Sequence, residues 1–74
     1  MNKNVEIKIG KNIRYLRESQ GLTQEMLAAQ LQTRGCDLTR SAIAKIEIGA
    51  RHLYPDEMKL IKDILKADYK DIYE

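Results

Sequence analysis

Residues 38–49 carry, in order, the signals that begin, bury and end one short helix, and that punctuation restricts the chain to folds assembled from short packed helices. The Thr39 hydroxyl can accept from backbone N–H groups of the first turn, and Leu38 before it can staple to Ile43 four residues inside. Ile43 and Ile46 then share one face, and Gly49 can adopt the left-handed conformation that closes the helix. The other side carries short or basic groups, with Arg40 and Ser41 on the first turn and Lys45 one turn later. Apart from the core-facing Ile43, only Ala42 and Ala44 stand between them, so this backbone can approach a groove closely.

The same punctuation recurs along the chain. Ile9, Ile13 and Leu16 recur at i, i+4 and i+7, which predicts a first helix over 7–20 closed by Gly21, with Lys8, Lys11 and Arg14 outside. Thr23 caps a second helix reaching 33 or 34, with Leu22 stapled to Leu27, Glu25 at the positive helix end, and Leu27 and Leu31 facing the core. Gly35 supplies a turn, 36–38 form the connection, and the third helix runs over 40–48. After an irregular stretch over 50–54, Pro55 opens a fourth helix striped by Met58, Ile61, Ile64 and Leu65, and Asp68 caps a last short one. No period-two run and no Asn-Gly or Asp-Gly turn suggests a strand. The expected fold is all-α: a compact four- to five-helix bundle forming one domain over 1–74.

Such a chain has a thin core, since a domain of this size buries only roughly 60% of its unfolded surface. Disulfides cannot support it. Cys36 is the only cysteine, and with His52 as the only histidine it cannot complete a four-ligand zinc site. No apolar run approaches ~20 residues and no signal pattern opens the chain, so a soluble cytoplasmic protein without membrane partner, metal or cofactor is expected. Enzymatic activity is not expected either: Ser41 has no histidine partner nearby, and no phosphate-cradling glycine loop or suitable carboxylate set occurs. The stripe from Met58 to Leu65 reads as core rather than as a small-molecule pocket. Cys36 reads as an incidental thiol. Charge, by contrast, is uneven: 1–20 carry five Lys or Arg against two Glu, whereas 54–74 carry four against six acidic residues. A basic first part suits a polyanion, because counterion release rewards local charge.

At this point the sequence resembles the Cro and phage-repressor type of helix-turn-helix regulators, also called XRE-like. The resemblance covers roughly residues 8–73 and rests on the helix end at 13–17, the run Gly21-Leu22-Thr23-Gln24-Glu25-Met26-Leu27-Ala28, the run from Arg40 to Glu47 followed by Gly49, and the end over 65–73. It implies a lambda-repressor-like DNA-binding domain with its helix-turn-helix at about 23–48 and further helices over 55–74. Arg40, Ser41 and Lys45 match positions that reach base edges, and the guanidinium fork of Arg40 suits a guanine. Thr23 and Gln24 open the second helix against a phosphate, and Ala28 lets the two helices of the motif pack closely. Arg17 and Glu47 match an ion pair bracing the first helix against the recognition helix.

Two departures from the family pattern stand out. Leu31 and Ile43 lie twelve positions apart where the family has about seven, so the turn is enlarged, the second helix runs about a turn further, and Arg34 can swing toward a phosphate. Ile48 replaces a polar residue that touches the DNA backbone in the family, which leaves Arg51 and His52 as phosphate candidates just beyond. His52 reads as an ordinary loop histidine rather than a pH sensor. Tyr69, Ile72 and Tyr73 admit two readings, a cover over the open end of the core or a two-fold dimer contact. The expected function is sequence-specific binding of double-stranded DNA as a transcriptional regulator, most simply a repressor acting at an inverted-repeat operator as a homodimer. The alternative is a protein-interaction module on the same fold, antitoxin- or coactivator-like.

Overall fold

The computed structural model describes residues 3–74, which form five helices and no strand among the described residues: α1 (Lys3–Ser19), α2 (Gln24–Thr33), α3 (Arg40–Glu47), α4 (Pro55–Leu65) and α5 (Tyr69–Tyr73). The caps that the sequence marks are formed. Thr23 Oγ1 accepts from the Met26 N–H at 3.0 Å and Thr39 Oγ1 from the Ala42 N–H at 3.2 Å. α1, α2 and α3 each end in the same paired turn, in which two N–H groups beyond the helix return to its last carbonyls. At the end of α4 the left-handed position is held by Lys66, not by a glycine. Asp68 stands at the N-cap of α5 in a capping box with Asp71, whose Oδ2 accepts from the Asp68 N–H at 2.9 Å.

One buried cluster joins all five helices through Ile9, Ile13, Leu27, Leu31, Ile43, Ile46, Met58, Ile61, Ile64, Leu65 and Ile72. Leu38 joins it from the link between α2 and α3, so the enlarged connection is anchored by its own apolar residue. α1 starts a turn earlier than its apolar period suggests. Its first turn is held by tertiary contacts, with the Lys3 ammonium donating to the Gly49 carbonyl and Ile7 packed on Gly49. At the other side Asn12 Nδ2 donates to the Ile72 carbonyl at 2.7 Å, tying α5 to the middle of α1.

Ile72 is 0% exposed, so it belongs to the core and cannot be a dimer contact. Its chain neighbours differ. Tyr69 and Tyr73 are about half exposed, the first with the Lys62 ammonium 5.2 Å from its ring centre. Tyr73 also borders a cavity of about 280 Å³ together with Val5, Ile9, Leu53 and Met58.

Candidate nucleic-acid interface

The face offered by α3 depends on how its other face is locked. Ile43 and Ile46 enter the core, and Glu47 between them and the helix end is a buried carboxylate. It accepts from Arg17 Nε at 2.7 Å, from Arg17 Nη2 at 3.1 Å and from Gln24 Nε2 at 3.0 Å. Arg17 Nη1 also donates to the Leu22 carbonyl at 2.7 Å, so a single network joins α1, α2 and α3. The hydrogen bond to Glu47, acting against burial, raises the pKa of Arg17 further, so the guanidinium stays charged. No buried side-chain polar atom among the described residues lacks a partner.

Close packing completes the lock. A Cβ on Gly10 would lie 2.3 Å from the Ile46 carbonyl oxygen and 2.7 Å from that of Glu47, so only a glycine lets α1 sit this near the end of α3. Gly49, at φ 75°, packs on Ile7 from the other direction, where a Cβ would meet the α1 backbone at 2.9 Å. The signal for Gly10 was present in the sequence as a glycine inside a helical apolar period. Its reason, a backbone-to-backbone approach, is visible only in three dimensions.

With its inner face fixed, α3 presents Arg40, Ser41 and Lys45 outward. All three are exposed, and none makes a side-chain hydrogen bond or ion pair with another described residue. Arg34, at the C-cap of α2, is exposed in the same way. Thr23 and Gln24 lie at the start of α2, where the Thr23 hydroxyl caps the helix and Gln24 gives one amide N–H to Glu47. The link over 34–39 turns sharply after α2 through Gly35 and reaches the Thr39 cap by way of buried Leu38.

Two of the expected phosphate contacts are held elsewhere. Arg51 places its guanidinium on Glu57 at 2.9 and 3.1 Å and on the His52 carbonyl at 2.8 Å, so its fork is occupied within the protein. Burial pushes the Glu57 carboxyl up, but the bonds from Arg51 and from the Tyr54 N–H outweigh it and hold the group below its usual range. His52 turns back toward α1, with Nδ1 3.8 Å from Glu6 Oε1 and its ring edge-on to Tyr54 at 4.7 Å. The acidic residue three positions into α4 thus holds the guanidinium fork of Arg51, while Nδ1 of His52 faces Glu6 on α1. Among the described residues no cluster of three or more His, Cys, Asp or Glu could hold a metal ion, and no helix is long and apolar enough to cross a membrane.

Comparison with known proteins agrees with this architecture. The family model described as a helix-turn-helix domain matches residues 10–74. Among solved structures, the crystal structure of the DNA-binding domain of BldD superposes with a TM-score of 0.84 over 100% of both chains at 18% sequence identity. No curated protein matches the chain.

Proposed function

The chain belongs to the helix-turn-helix domain family, of the XRE type, and from that premise we propose that it is a sequence-specific double-stranded DNA binder that regulates transcription, with α3 as its recognition helix. One observation carries the reading: α3 is fixed on its inner side by the Arg17–Glu47–Gln24 network while Arg40, Ser41 and Lys45 stand outward with no partner among the described residues. Rigid elements bearing unpaired cationic and hydroxyl groups suit base edges, where position is worth more than flexibility. Thr23, Gln24 and Arg34 flank that helix as phosphate contacts, and the likeness to a DNA-binding domain supports the same use. The simplest action is repression by occupancy, one copy on each half of an inverted repeat.

The test is selection of duplexes from a random pool, followed by titration of the selected and random sequences. Arg40→Ala is expected to lose roughly 1–3 kcal/mol on the selected duplex and much less on random DNA, with the fold intact. Equal losses on both would make Arg40 a phosphate contact. Affinity should also fall by orders of magnitude between about 50 and 200 mM salt. Absence of DNA binding at low salt would transfer the surface to a protein partner, antitoxin- or coactivator-like.

A further inference from the structure

Ile48 is the anomaly of the α3 face. It is 66% exposed although it is a large aliphatic residue, and it stands in one of the best-anchored stretches of the chain. Glu47 before it holds three hydrogen bonds, and Gly49 after it packs on Ile7 and returns its N–H to the Ile46 carbonyl at 3.1 Å. Ala50 closes the same turn on the Lys45 carbonyl at 2.8 Å. An aliphatic group held this firmly, yet turned away from the core, is prearranged to meet something outside it.

Register identifies the neighbours. Ser41, Ala44, Lys45 and Ile48 stand at i, i+3, i+4 and i+7, so they form one stripe opposite Ile43 and Glu47. Lys45 within the stripe and Arg40 at its edge make the surrounding field positive, which favours a polyanion over an apolar protein partner as the surface that covers Ile48. Only one apolar group on any base pair faces the major groove, the 5-methyl of thymine. We propose that Ile48 is a specificity-determining residue that packs against a thymine methyl at the end of the site read by α3. This rests on the DNA-binding reading above and adds to it a base preference that Arg40, Ser41 and Lys45 do not supply.

The experiment replaces each thymine of the selected duplex, one at a time, with deoxyuracil, which deletes the methyl and keeps the pairing. Wild type should lose about fourfold at one position per half-site, the worth of one buried methyl, while Ile48→Ala loses nothing further there. The variant should melt with wild type, because the side chain removed is exposed. Three results would overturn the assignment: a wild type indifferent to every replacement, a variant as sensitive as wild type at each position, or a variant weakened equally on selected and random duplexes. Failure of wild type to prefer any duplex at low salt is a different outcome, and it overturns the DNA-binding reading itself.

Discussion

Glu47 joins three helices through one side chain, and the energetics of the motif turn on it. Arg17 and Glu47 are buried, with side-chain exposures of 8% and 2%, so removing the acid strands a cation away from water. Such an uncompensated charge costs about 3–5 kcal/mol. A domain of this size has a total stability of the same order, roughly 0.05–0.15 kcal/mol per residue. Glu47→Ala is therefore expected to lose a large part of that stability, about 3–5 kcal/mol, with a clearly lowered urea midpoint by far-ultraviolet circular dichroism at 25 °C. Replacing both partners with methionine should recover most of the loss in urea unfolding, since no charge is then left buried; a double variant no better than Glu47→Ala would show that the network's shape matters more than its charge. The pairing of Arg17 with Glu47 was legible in the sequence through the family pattern, but the third member, Gln24, was not. Nor was the capture of Arg51 by Glu57. A residue type tells which groups can bond, while the nearest partner depends on how the loop over 50–54 is folded back.

At the scale of elements, apolar periods and caps place α2, α3, α4 and α5 within a residue or so, because those signals act locally. They could not give the first turn of α1, which is held by Gly49 and has no start signal of its own. Lys66 shows the same limit. A left-handed residue with a Cβ costs about 1–2 kcal/mol, and here the turn is held by the N–H groups of Lys66 and Ala67 on the carbonyls of Asp63 and Lys62. The close approach of α1 to α3 is the feature with the largest consequence for the interface, because it sets where the last turn of α3 stands. Gly10→Ala improves helix propensity by about 1 kcal/mol. Against that, a Cβ 2.3 Å from a backbone oxygen forces the two helices apart, and neither backbone can rotate away. Overpacking of this kind costs up to about 3 kcal/mol, so a net loss of about 2 kcal/mol is expected. Differential scanning calorimetry should find the melting temperature lowered by about 8–16 °C. An unchanged or raised melting temperature would mean that the helices separate freely, and that α3 is not fixed by this contact.

The molecule measures 30 × 20 × 19 Å, and α3 with its eight residues is only about 12 Å long, enough to span about four base pairs at 3.4 Å each. Four base pairs recur every few hundred positions, far too often against the 10⁶–10⁹ competing sites of a genome. On the proposed DNA-binding reading, a second copy is one way to supply the missing specificity, with its α3 expected about 34–36 Å away along the same face of the duplex, a spacing that protomers of this size can reach side by side. With Ile72 withdrawn into the core, Tyr69 and Tyr73 are the large groups at the acidic end available for that contact. A two-fold contact made through them would couple the half-sites by about 5–150-fold, the usual range for linked sites. The expected result is that wild type binds a duplex with two selected half-sites more tightly than one with a single half-site by a factor in that range. Tyr69→Ser combined with Tyr73→Ser should bring the two affinities together while leaving single-half-site binding where it was, because neither ring is fully buried. If the advantage of the second half-site survives both substitutions, the protomers meet through another surface. If wild type never shows the advantage, one copy acts alone, and the missing specificity has to come from DNA shape or from a different protein bound beside it.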